Sequence, residues 1–398
     1  MTDKPWRSER LAALADEWIA ERESFLSSMY SYLDTHLRQL ASAPPVHLTP
    51  TSYEAELAAI GGRVLDFVRA MDGTVWYTLR LPQRLIAYQA ELETTFAAAV
   101  ASDAQRLAAL VPPPHAIPGH GAVRRALGLA RHILSMLKEL QGQFDFATFF
   151  FTRRLVSQIK YLLYPVRLHL SAWQRFWLLD DADFEACEPQ PADVHPDSGI
   201  QRHEIDGQRC AYSSYVPEYY RPERSWPLIL ALHGGTGNDE DFLWTWLKYA
   251  KSRGYLLLSA KSFGPTWHPW DDPSLLGMLD DMQARYHVDS RRILLTGLSD
   301  GGSFGYEVGF SAPERFAGLA VVAGMLRSHR RSDDASRLPV YIAHGAKDQL
   351  FPIGYIRMVV RTLREWGHDV TYHELADFGH AYPPGENVAI LDWFASHP

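Results

Sequence analysis

The chain carries two rhythms of apolar and polar residues. Over positions 1–180, apolar side chains recur at spacings of three, four and seven, the periodicity of a helix with one buried face. Leu11, Trp18, Phe25 and Tyr32 repeat every seven residues, with Leu14, Met29 and Leu37 beside them, which predicts one long amphipathic helix ended by Pro44-Pro45. Thr51 followed by Glu54 has the form of a capping box and opens a helix through Val64, Phe67 and Val68. Another is predicted from Thr74 or Pro82 to Leu110, closed by the Pro-rich stretch from Pro112 to Gly121. Val123, Leu127, Ala130, Leu134 and Leu137 form the seam of a further helix, and a last one is predicted over about Phe146 to Leu179. Four or five long antiparallel helices with short connectors predict an all-α, bundle-like domain over 1–180.

The second rhythm is that of short apolar runs separated by helical patterns. Strands are predicted at Gln208–Val216, Leu228–Leu232, Tyr255–Ser259, Arg292–Thr296, Gly318–Val322, Val340–Ala343 and Asp369–Glu374. Helices fall between most of them, at Trp244–Ser252, Leu275–Tyr286, Ser303–Ser311 and Tyr355–Trp366. The central runs, such as Leu228–Leu232, are apolar throughout, as a parallel sheet covered on both faces requires. A doubly wound, mostly parallel α/β sheet over 201–398 follows. The acidic, Pro-rich segment 181–200 between the two rhythms reads as a linker.

Composition sharpens this division. Residues 1–190 hold 7 glycines and residues 191–398 hold 20, as helix-rich and turn-rich halves should. Apolar residues make up 46% and charged residues 22%, which suits a globular chain of two domains. A formal charge of −8 lacks the global basic field of a nucleic-acid partner. Charges run through the first twenty residues, unlike a signal peptide, and no apolar run is long enough for a membrane span. Cys187 and Cys210 are too few for a disulfide framework and read as free thiols of a cytoplasmic protein. His36, His47, His115, His120 and His132 are scattered without metal-ligand spacing, and Phe149-Phe150-Phe151 reads as core or interface.

The chemistry concentrates in the second half. Gly297-Leu298-Ser299-Asp300-Gly301 has the form G-x-S-x-G between a buried strand and a helix. Such a turn is sharp, needs small residues around it, and lifts the Ser299 hydroxyl above the sheet. A serine hydroxyl is a weak nucleophile without a base to take its proton. His380, after the last strand, is the candidate base, and Asp348, after the preceding strand, the acid that orients it. The rivals fit less well. Asp333 and Asp334 lie one strand early, Asp377 is only three residues from His380, His344 closes a strand, and His368 and His373 lie before or inside one. The glycine-rich loop His233-Gly234-Gly235-Thr236-Gly237 follows the predicted strand Leu228–Leu232, where an oxyanion site is expected, so the Gly235 and Asp300 amides are the candidate donors.

In these pieces residues 205–398 resemble the α/β-hydrolase superfamily. The likeness is strongest to phospholipase/carboxylesterase-type esterases and to feruloyl-esterase- and polyhydroxyalkanoate-depolymerase-like enzymes. It rests on Leu232–Asn238, Gly297–Gly302, His344–Pro352 and Phe378–Pro383. It implies a serine hydrolase without metal or organic cofactor, acting on a small-molecule carboxylic ester through an acyl-enzyme. Gly234, Trp267 and Trp270 are candidates for the substrate site, and the basic stretch Met325–Arg331 reads either as solvated charge or as a greeting for an anionic substrate. Two other readings stay open, a peptidase of prolyl-oligopeptidase type and a silent hydrolase-fold binding module. The helical half reads as a lid, a docking domain or, because its apolar stripes need burial, a packing or homodimerisation device.

Overall fold

A computed structural model of the chain describes residues 50–77, 82–112, 119–140, 146–169, 171–190, 193–205, 210–327, 338–383 and 385–397. They fall into two compact units, residues 1–177 and 178–398. The heptad seam of Leu11 to Tyr32 lies outside the described residues.

The described elements of the first unit are helical. They are α1 (Pro50–Tyr77), α2 (Pro82–Ala109), α3 (His120–Glu139) and α4 (Phe146–Leu163), followed by 3-10 turns at Tyr164–His169 and Ser171–Trp177. The seam predicted on α3 is buried from Val123 through Leu127, Ala130 and Leu134 to Leu137. The single helix predicted to reach Leu179 stops at Leu163. Pro165 is the reason, since proline lacks the amide that an α-turn needs and its ring collides with the carbonyl four residues back. The tighter turns that follow return Trp173 to α1, where its indole nitrogen donates to the Ala58 carbonyl at 3.0 Å. Gly61 makes room for that ring, because a Cβ there would lie 1.8 Å from a ring carbon. Arg63 grips Asp103 of α2 with two hydrogen bonds of 2.6 Å.

The second unit is built on one eight-stranded sheet. Its strands are β1 (Gly199–Ile205), β2 (Cys210–Val216), β3 (Trp226–Leu232), β4 (Leu256–Ala260), β5 (Val288–Leu298), β6 (Gly318–Val322), β7 (Val340–Gly345) and β8 (Val370–Leu375). They lie in the order β1-β2-β4-β3-β5-β6-β7-β8. β1 and β2 are antiparallel to their neighbours, and β3 to β8 run parallel. Every residue of β4 and β6, and all but Pro227 of β3, is buried, as the continuous apolar runs require. Each fully enclosed Leu, Ile or Val contributes about 1.5–3 kcal/mol. β1 was not expected. It is an edge strand, and Gln201-Arg202-His203-Glu204 has no apolar alternation to announce it.

The helices of this unit are a single turn α5 (Phe184–Cys187), α6 (Asp239–Arg253), α7 (Asp272–Arg285), α8 (Asp300–Ser311), α9 (Ile353–Glu365) and α10 (Glu386–Ala395). α6 starts where the Asn238 side chain accepts the Asp241 amide, with three acids in its first turn at the positive end of the helix. The segment expected as a linker packs instead within the second unit. Asp183 caps α5, and Leu178, Ala182 and Cys187 form a small apolar cluster. Among the described residues no helix is long and apolar enough to cross a membrane.

Candidate active site

All the chemistry-bearing loops leave carboxyl ends of parallel strands, where α/β sheets place their ligands. β5 lies at the centre of the sheet and delivers Ser299 straight into α8. The turn is too tight for ordinary backbone, and Ser299 is held at φ 54° and ψ −112°, a strained region for any side chain. Its amide donates to the Val322 carbonyl at 2.8 Å, and its carbonyl accepts the Ser303 amide at 2.9 Å. The glycines around it are required by contact. A Cβ on Gly297 would lie 2.4 Å from the Gly301 backbone, and one on Gly301 would lie 2.4 Å from the His233 carbonyl oxygen.

Three side chains meet above this turn. Ser299 Oγ lies 2.7 Å from His380 Nε2, and His380 Nδ1 lies 2.9 Å from Asp348 Oδ2. An ionised carboxylate only accepts, so Nδ1 carries the hydrogen and the bare Nε2 accepts from the serine. Asp348 is almost fully buried, and burial alone would push its pKa up. Hydrogen bonds from His344, from His380 and from the Phe351 amide outweigh that and hold it well below the usual carboxylate range. Oδ1 accepts the Leu350 and Phe351 amides, both at 2.8 Å. The edge of the Phe351 ring meets the His380 imidazole, with the two nearly perpendicular.

The rivals are occupied elsewhere. Asp377 is exposed and pairs with Lys347 at 3.0 Å. His368 contacts the Leu338 carbonyl, and His373 pairs with Glu386 at 3.0 Å. Asp333 and Asp334 lie outside the described residues. His344 does more than close its strand. Its Nε2 lies 2.9 Å from the Phe351 carbonyl and 3.2 Å from Asp348 Oδ2. Both are acceptors, so Nε2 carries the hydrogen and shares it between them. Sequence offered one signal for this, a histidine inside an apolar strand four residues before the acid.

The loop after β3 runs beside the serine. A Cβ on Gly235 would come within 3.9 Å of Asp300 Cβ, so the two backbones are neighbours. Among the described residues neither the Gly235 nor the Asp300 amide donates to a protein acceptor. Gly234 precedes them, and its carbonyl accepts from His233 Nδ1 at 2.8 Å. His233 Nε2 accepts the Ser262 amide at 3.4 Å and so stays bare, the Ser262 hydroxyl giving its own hydrogen to the Gly264 carbonyl at 2.6 Å, and burial pushes the ring's pKa down to about 4.

The two tryptophans differ. Trp267 is buried, stacks on Phe304, donates its indole N–H to the His233 carbonyl at 2.8 Å and its amide to Asp300 Oδ2 at 2.6 Å. It braces the two loops and has no face left for substrate. Trp270 is 54% exposed and stacks on His268. Among the described residues no group of three or more His, Cys, Asp or Glu is arranged to hold a metal ion.

Residues 274–397 match the family described as phospholipase/carboxylesterase. The second unit has the α/β-hydrolase fold. A curated relative is the bifunctional acetylxylan esterase/xylanase XynS20E of Neocallimastix patriciarum, 25% identical over 190 residues. That match covers 45% of this chain and 27% of the relative, so the chain spans about a quarter of the curated protein's length. Solved structures with similar chains include a thermostable esterase at 21% identity and a TM-score of 0.43, covering 52% of this chain and 63% of that one. Another is a ferulic acid esterase of Anaeromyces mucronatus at 11% identity and a TM-score of 0.41, covering 55% and 97%.

Proposed function

We propose that the protein is a serine carboxylesterase that works through an acyl-enzyme. The observation that carries this reading is the hydrogen-bonded chain from Ser299 Oγ through His380 to Asp348, set on a strained strand-to-helix turn. In it Ser299 Oγ attacks the ester carbonyl while His380 Nε2 takes the hydroxyl proton. The proton then passes to the departing alkoxide, and the alcohol leaves. Asp348 stays ionised and stabilises the imidazolium without taking the proton. The Gly235 and Asp300 amides hold the negative oxygen of the tetrahedral intermediate. Water, deprotonated by the same histidine, attacks the acyl-serine and releases the acid. The phospholipase/carboxylesterase match supports an ester over an amide substrate. The helical elements of the first unit also favour this reading over a prolyl-oligopeptidase-type enzyme, in which a β-propeller accompanies the hydrolase fold.

The test is hydrolysis of p-nitrophenyl acetate, butyrate, octanoate and palmitate by the wild type and by Ser299→Ala. Turnover by the wild type should fall in the variant by about 10⁴-fold or more, as in serine enzymes that lose the nucleophile. Equal rates in the two proteins would overturn the assignment of Ser299. A folded wild type that neither turns over these esters nor takes a fluorophosphonate label would overturn the enzyme reading.

A further inference from the structure

The residue after Ser299 carries a negative charge beside the place where the proposed reaction develops another. Asp300 offers its amide to the oxyanion, and its own side chain is a buried acid. Like charges a few ångströms apart in a partly desolvated site are weakly screened, so an uncompensated carboxylate here would oppose the tetrahedral intermediate. Among the described residues the carboxylate has two hydrogen-bond partners. Oδ2 accepts the Trp267 amide, and Oδ1 accepts the Arg327 guanidinium in an ion pair.

Arg327 comes from the segment after β6, which is fastened at three successive residues. The Met325 amide donates to Ser303 Oγ at 2.9 Å, the Tyr355 hydroxyl donates to the Leu326 carbonyl, and Arg327 binds Asp300. Glu307 Oε1 lies 3.9 Å from the other terminal guanidinium nitrogen. The guanidinium thus faces two acids of the protein.

We infer that Arg327 is a positioning residue that neutralises Asp300, so that the amide of Asp300 can bind an oxyanion unopposed by its own side chain. The inference rests on the esterase reading. The carbonyl of the bound ester is neutral and the intermediate is not, so the effect belongs to kcat and not to KM.

The experiment measures kcat and KM for p-nitrophenyl butyrate with the wild type, R327Q, R327K and D300N/R327Q. Rates are expressed per fluorophosphonate-titrated site, so loss of folded protein does not enter them. R327Q should lower kcat about 10- to 100-fold with KM changed by less than about twofold. R327K, which keeps the charge, should recover most of that loss. D300N/R327Q should also recover much of it, although it lacks both partners of the ion pair. A residue that merely braced the loop would give the reverse order, with the double variant no better than R327Q. That result, or a loss confined to KM, would overturn the inference and leave the esterase reading standing. A wild type without turnover or labelling would overturn both.

Discussion

Two networks of buried charge lie in the α/β-hydrolase unit, and they end differently. One is centred on Lys251 of α6, whose side chain is fully enclosed. Its ammonium faces Glu218 Oε2 at 2.6 Å, Glu188 Oε1 at 3.0 Å and the Cys187 carbonyl at 3.1 Å. The Tyr215 hydroxyl adds a further bond to Glu218 at 2.7 Å. Each of these contacts joins two buried groups of the protein. The other starts from an equally buried carboxylate, Asp348, and is as well supplied with donors. It ends on the half-buried hydroxyl of Ser299, held on strained backbone. A closed network can only fix a fold. A network left open at one end can pass a proton to something that arrives from outside.

The contrast implies that damage to the open network should appear in the rate, and damage to the closed one in stability. The largest effect is expected from Asp348→Asn. The Asn side chain can offer an N–H to His380 Nδ1, which favours the tautomer whose Nε2 carries the hydrogen and cannot accept from Ser299. The kcat for p-nitrophenyl butyrate should drop by about 10⁴-fold, equivalent to about 5.5 kcal/mol of barrier, with the melting temperature little changed. A loss below about tenfold would mean that Asp348 does not orient the base.

Lys251→Met is the matching break in the closed network. It removes the ammonium that lies between two buried carboxylates, which should cost about 3–5 kcal/mol in urea unfolding. The kcat per fluorophosphonate-titrated site should stay at the wild-type value. A fall in kcat at unchanged stability would show that the two networks are not separate in function.

Legibility in the sequence follows the same line. The central parallel strands were readable because burial on both faces makes continuous apolar runs of them, as in Leu228–Leu232. Ser299, Asp348 and His380 were readable because each sits in a short local pattern at a strand end, and the structure joins those same three by hydrogen bonds. Contacts between distant residues left no such trace. Lys251 meets Glu218 and the Cys187 carbonyl across 33 and 64 positions, so Glu188 and its neighbours looked like a solvated acidic linker. Trp267 looked like a pocket wall because nothing local shows that its two N–H groups are satisfied by His233 and Asp300. Arg327 looked like solvated charge for the same reason.

His233 lies between the two extremes, buried in full yet on the loop that supplies the Gly235 amide, and pH separates its two contributions. Its ring must be neutral in the folded protein, because Nδ1 donates to Gly234 and Nε2 accepts from Ser262. Burial pushes its pKa down to about 4, against about 6.5 in the unfolded chain. Between those values the unfolded state binds more protons, so the contribution of His233 is complete above pH about 6.5 and drains by about 1.4 kcal/mol per unit as pH falls toward 4. Asp239 works in the opposite sense. Burial, opposed by the Ser213 hydrogen bond, raises its pKa to about 6, and its protonated form favours the fold below that pH. The slope of the wild type alone therefore mixes the two, and the readout is the difference in unfolding free energy between the wild type and His233→Asn. That difference should shrink steadily from pH 7 to pH 4.5, at up to about 1.4 kcal/mol per unit. A difference that stays constant over this range would mean that His233 takes up its proton as readily in the fold as in the unfolded chain, and the acceptor role of Nε2 toward Ser262 would fail.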